Sequence, residues 1–275
     1  MSIKTNIITV FLNIAAFASA CAQNFEGIAT YKTDRKVELK MDSTQMNNGI
    51  QEQLQAQLRK QFQKEYTLHF NANESLYQEV ESLSAPTPSA GGFNIILSGN
   101  DDVLYRNLKE NQYINQTGIM SKIFLVTDSL QKDDWRLEKE TKNIGNYTCF
   151  KAIRTREVTE QTFSSENDSL VEITKNETTV AWYTLDIPVQ HGPGDFWGLP
   201  GMILEINDGD QTILCSKIVM NPEKKTKIEA PSKGKKVDQA TFDAIEKKKM
   251  QEMQEQLHNN SSRKDGDSFH IKIGG

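Results

Sequence analysis

Cysteine and histidine are scarce in this sequence, three of one and four of the other in 275 residues. His69, His191, His258 and His270 stand far apart and form no HExxH or Cys-His ligand set, so no local zinc motif is present. A metal site would have to be assembled in space. No glycine-rich loop joins a strand to a helix, which speaks against a nucleotide, and no cofactor is expected. The nucleophile-elbow pattern GxSxG is missing too. Lysine and arginine number 32 against 37 acids, a formal net charge of -5, so no nucleic-acid partner is expected. No apolar run approaches the roughly 20 residues of a spanning helix. Asp133-Asp134 and Asp208-Gly209-Asp210 lack the spaced oxygen ligands of an EF-hand and read as turns.

The chain opens with a leader. Lys4 supplies a positive start, residues 7–17 are mostly apolar, and Ala20-Cys21-Ala22 offers a small-x-small cleavage site. Residues 1–22 are therefore expected to be a signal peptide, with release after Ala22. Cys21 provides a lipoprotein alternative, in which its thiol is acylated. Either way the protein is expected to be exported, to the periplasm or to an outer-membrane association. Cleavage leaves Cys149 and Cys215, which in an oxidising compartment admit one pairing. A Cys149–Cys215 disulfide is the expectation, with two buried thiols as the alternative.

Patterning then predicts a mainly β protein with flanking helices (α+β). The expected architecture is an antiparallel, meandering, twisted sheet or half-barrel. Residues 25–32 read as a first strand. Met46, Ile50, Leu54, Leu58 and Phe62 recur every four residues, the stripe of a helix inserted over 43–64. Tyr66, Leu68 and Phe70 alternate as a half-buried strand with a hairpin mate at 75–80. Residues 82–92 are loop-like. Short strands follow around Tyr105, Tyr113, 122–127 and 135–138, then longer ones at 146–156 and 178–187. Strands at 202–207 and 212–220 flank an Asp208-Gly209 hairpin turn.

The densest information lies in Ala181-Trp182-Tyr183 through Ile203. Pro188, Pro193 and Pro200 restrict the backbone there, and Gly192, Gly194, Gly198 and Gly201 supply angles other residues avoid. The stretch Gly198-Leu199-Pro200-Gly201-Met202-Ile203 closely resembles the signature of the GLPGLI family of exported Bacteroidota proteins. Met202 stands where the family name has leucine. Ala181-Trp182-Tyr183, Ile187-Pro188, Gly192-Pro193 and residues 142–152 also resemble the family pattern. The resemblance covers about 24–222 and brings no catalytic residues with it. A 23–222 β-rich domain is thus expected, followed by a 223–275 appendage. That appendage holds a lysine-rich linker, a helix from Asp238 to about His258 with its apolar stripe docked on the body, and a tail in which Phe269, Ile271 and Ile273 alternate.

Function follows from aromatic surface rather than from a reactive group. Trp182, Tyr183, Phe196, Trp197 and Leu199 are the candidate binding residues, and Trp182 and Tyr183 should face opposite sides of their strand. The expected activity is noncatalytic: an envelope accessory that holds a small apolar ligand or docks an envelope protein. His191 and Asp195 are the weak catalytic candidates of a hydrolytic alternative. A purely structural role for the Gly-Pro segment is the third reading, in which Gly201 matters if its backbone angle is positive.

Overall fold

Alternation sets the first strand. In β1 (Gly27–Arg35) the buried residues are Gly27, Ala29, Tyr31 and Thr33, while the residues between them are partly or fully exposed. One face of the strand therefore meets the core and the other meets solvent. The computed structural model of the protein describes residues 26–40, 63–80, 102–164, 169–224, 227–261 and 270–273. The expected leader 1–22 with Cys21, and the loop at 82–92, lie outside them. So does the 43–64 helix, except that Gln63 and Lys64 already lead into the third strand.

The strands in chain order are β1, β2 (Val37–Lys40), β3 (Glu65–Phe70), β4 (Glu74–Glu79), β5 (Val103–Asn107), β6 (Gln112–Ile119), β7 (Lys122–Ser129), β8 (Arg136–Ile144), β9 (Tyr147–Ser164), β10 (Ser169–Thr184), β11 (Met202–Asn207), β12 (Gln211–Met220), β13 (Lys235–Val237) and β14 (His270–Ile273). One helix, α1 (Gln239–Ser261), follows β13. Twelve strands form one sheet in the order β13-β7-β6-β5-β4-β3-β1-β12-β11-β10-β9-β8, and β2 pairs with β14 separately. The β-rich class and the meandering order expected above are thus borne out, in a sheet that is not closed into a barrel. Every pair is antiparallel except β13 with β7.

This order forces the sheet to curl. Two meanders, β3 to β7 and β8 to β12, lie on either side of β1. If flat, the ten spacings from β7 to β8 would hold these strands about 48 Å apart. Yet only residues 130–135 connect them, a span of at most about 25 Å. The two meanders must therefore face one another across an interior. Tyr31 of β1 points into it, donating its hydroxyl to the Ile203 carbonyl of β11 at 2.7 Å. Leu68, Phe70, Met202, Ile203, Leu204 and Ile206 fill the same core. Each such side chain contributes on the order of 1.5–3 kcal/mol on burial.

The expected disulfide is corrected. Cys149 and Cys215 are free and buried. Cys149 is on β9 and Cys215 on β12, with β10 and β11 between them. Three strand spacings, about 14 Å along the sheet, exceed the Cα reach of a disulfide. Burial pushes the Cys149 thiol up to about 11 and the Cys215 thiol up to about 12, so both stay neutral.

Candidate functional site

The β10–β11 connection packs one side of its chain into the interior and shows the other to solvent. Ile187, Val189, His191, Gly192, Pro193, Trp197, Leu199 and Gly201 are buried, while Pro188, Gln190, Asp195 and Pro200 are exposed. The segment satisfies its own backbone. Met202 N–H donates to the Ile187 carbonyl at 3.0 Å, Ile203 N–H to His191 at 3.1 Å, and Gly198 N–H to Gln190 at 3.0 Å. Such pairing is what permits backbone burial at all.

Glycine has two distinct uses here. Gly194 (φ 54°) and Gly198 (φ 90°) occupy the left-handed region. Gly201 does not, so the expectation about its angle is replaced by another cause. A Cβ on Gly201 would lie 1.9 Å from the Thr184 carbonyl oxygen, and one on Gly192 would lie 2.5 Å from that of Phe196. These two glycines let backbone touch backbone.

Two side chains from elsewhere and one of its own clamp the segment. Arg106 of β5 donates through Nη2 to the Gly194 carbonyl at 2.7 Å. Trp135, just before β8, donates Nε1–H to the Trp197 carbonyl at 2.9 Å. The His191 Nε2 meets the Asn71 carbonyl at 3.1 Å. Guanidinium groups lie over the segment's rings: Arg106 is 5.8 Å from the Trp197 ring centre, and Arg154 is 4.8 Å from that of Phe196. Asp133 holds Arg154 at 2.6 Å and Arg156 at 2.5 Å. Because Arg106 belongs to one meander and Arg154 to the other, the segment is wedged between them.

His191 and Asp195 are consequently placed apart in character. His191 is fully buried. Burial, and next the Arg106 charge, lower its pKa to about 3, with the Asn71 carbonyl pulling the other way. Asp195 is exposed. The two share no hydrogen bond among the described residues, and solvent does not reach the histidine. The same residues contain no cluster of three or more His, Cys, Asp or Glu able to hold a metal ion.

Trp182 and Tyr183 do take opposite faces. Tyr183 is buried in the core, while Trp182 is half-buried on the solvent side. The Lys142 ammonium lies 4.5 Å from the Trp182 ring centre and pairs with Glu205 at 2.7 Å. Register extends this into a row across the outer face: Lys151 opposite Trp182, Trp182 opposite Glu205, Glu205 opposite Leu214, Leu214 opposite Lys32, and Lys32 opposite Glu65. Leu214 is 41% exposed and nearby Leu185 is 48% exposed.

Arg106, Asp133, Trp135, Lys142 and Arg154 were missed from sequence. A lone arginine directly after the apolar and aromatic Val103–Tyr105 run was the available signal for Arg106. The others depend on topology.

Residues 135–205, from the edge of β8 to the end of the wedged segment and most of β11, match a sequence-family model described as a protein of unknown function, Porph_ging. No curated protein matches the chain. Among solved structures, PNGF-II is similar in two crystal forms, C2 and P21. The identities are 16% and 15%, the TM-score is 0.48 for each, and the match covers 80% of this chain. It covers only 32% and 33% of PNGF-II, so the chain spans about a third of that protein's length. By sequence, then, this chain is similar over about a quarter of its length, residues 135–205, to a family whose function is unknown.

Proposed function

We propose that the protein is a noncatalytic accessory of the cell envelope that docks another envelope protein on its outer face around Trp182. The leader and the resemblance to GLPGLI proteins support export. The filling of the interior by buried side chains of the chain's own 187–203 segment supports protein docking over carriage of an apolar ligand. An aromatic ring under Lys142, in one row with Lys151, Glu205 and the exposed Leu214, has the composition of an interface hot spot with a polar rim. The half-exposed Trp182 beneath Lys142 is the observation that carries the reading. A hydrolytic role for His191 and Asp195 is disfavoured, because the histidine is sealed from solvent.

A photo-crosslinking residue placed at Leu214 in growing cells tests it. The expected result is one discrete protein adduct that disappears when Trp182→Ala is added, with the melting temperature of the double variant within about 2 °C of its parent. Absence of any adduct, together with an apolar small molecule retained on the purified protein in native mass spectrometry, would favour a carrier instead.

A further inference from the structure

The β6–β7 hairpin ends in an unusual tip. Ile119 pairs with Lys122, leaving Met120 and Ser121 as the turn. Met120 sits at φ 56°, a left-handed angle that large residues rarely adopt. It is 61% exposed, the most exposed large apolar side chain among the described residues, and Ile123 beside it is 38% exposed. A turn of this kind is ordinarily made by glycine or asparagine. Solubility would favour those residues, so the exposed thioether needs another cause.

The charge around the tip supplies one. β13 runs parallel to β7 with Lys235 beside Phe124. The chain entering β13 therefore brings Lys233 and Gly234 alongside the first residues of β7. A Cβ on Gly234 would lie 2.8 Å from the Phe124 carbonyl carbon, so the approach is close. Lys122, Lys233, Lys235 and Lys236 are all exposed. Within the described residues no ion pair engages any of the four. The acid of β7, Asp128, lies at the strand's other end, about 20 Å from Lys122. Helix α1, which packs on β7 through Phe242, carries Asp243, Glu246, Glu252 and Glu255 against Lys247, Lys248 and Lys249, so its own charge is close to neutral and slightly acidic. An apolar tip in a collar of unpaired lysines complements an anionic lipid surface: apolar groups enter the headgroup region and ammonium groups meet phosphate.

We propose that the β6–β7 hairpin tip is a membrane-surface anchor, seating Met120 and Ile123 in an anionic leaflet with Lys122, Lys233, Lys235 and Lys236 on lipid phosphates. This goes beyond the docking role and does not depend on it, since the Trp182 face lies on β10, in the other meander. It would hold the chain at a membrane with or without an acyl group on Cys21.

Vesicle co-sedimentation of the chain from Gln23 onward, without the leader and Cys21, tests it, so that neither leader nor lipid chain contributes. Vesicles of mixed phosphatidylcholine and phosphatidylglycerol should retain the protein, and phosphatidylcholine alone should retain far less. Added salt should release it. Met120→Asp, which keeps a residue tolerant of the left-handed angle, should weaken the partition coefficient at least about tenfold without lowering the melting temperature. Replacing the four lysines with glutamine should weaken it by about fivefold for each. Equal sedimentation with both vesicle types, or an unchanged partition coefficient for Met120→Asp, would overturn the anchor. A Met120-dependent protein crosslink without vesicle binding would assign the tip to a protein partner and overturn it equally.

Discussion

Arg106 carries a charge into the interior without a contacting carboxylate among the described residues. Burial lowers its pKa to about 10, while the charges of Asp195 and Asp133 oppose the shift. It therefore remains a guanidinium at neutral pH. Its Nε finds no partner in the described structure, a costly arrangement for a buried donor. What it gains is the Gly194 carbonyl and the Trp197 ring, both on the wedged segment. His191 beside it must stay neutral, and this has a consequence for stability. Its folded pKa, about 3, lies below the ordinary value of about 6.5. The unfolded chain thus binds the proton more readily. The stability contributed by neutral His191 is complete above pH 6.5 and is lost as the pH falls toward 3. The expected slope is up to about 1.4 kcal/mol per pH unit within that window. Urea midpoints between pH 7 and 4 should fall more steeply for the wild type than for His191→Gln, and parallel curves would refute the assignment. Neither residue announces itself in sequence. His191 reads there only as a weak catalytic candidate, because an arginine 85 positions earlier is what makes its surroundings electropositive.

Strands were legible where one face is buried and a turn marks the end. β11 and β12 follow the Asp208-Gly209 signal, and Asp208 Oδ1 accepts from Gln211 N–H at 2.6 Å. The β3–β4 hairpin is closed similarly by Asn71, whose Oδ1 accepts from Glu74 N–H at 2.7 Å. The outer halves of β9 and β10 were not legible. Beyond Ile153 and Val180 these strands pair only with each other among the described residues. Among the described residues this ribbon has no further strand beside it, so only its hairpin partner fixes its length. β13 was missed for a different reason, since its three residues match no period and join the sheet by covering the edge of β7. α1 was legible from its stripe, and its start is well secured. Asp238 Oδ1 accepts from Thr241 N–H at 2.7 Å, an N-cap. Its docking rests on few side chains: Phe242 meets Phe124 edge-on at 5.6 Å, with Val126 and Ile245 nearby. Phe242→Ala should remove about 3 kcal/mol of that local packing. In limited proteolysis, α1 should then be cut while the strands through β12 resist. Global unfolding in place of this selective loss would mean that α1 belongs to the main core.

For the molecule as a whole, the half-barrel expectation captured the curl but not its cause. Pattern reading sees strands one at a time, whereas curvature comes from a six-residue link between the two ends of an eleven-strand run. That link creates an interior, and the glycine- and proline-rich segment fills it. This is also why loop aromatics expected to line a binding cleft, Trp197 above all, are buried instead, leaving the outward Trp182 as the exposed candidate. The segment's shape was legible in its glycines and prolines, while its burial was not, because burial depends on clamps from β5, β9 and the β7–β8 link. The central claim is that residues 187–203 are a wedged interior element rather than a surface loop. Residue-resolved hydrogen exchange tests it most directly. The account predicts that the amides of Gly198, Met202 and Ile203, each bonded within the segment, exchange as slowly as those of β10 and β11. Exchange of these three amides at the rate of an open loop, while the flanking strands stay protected, would contradict it.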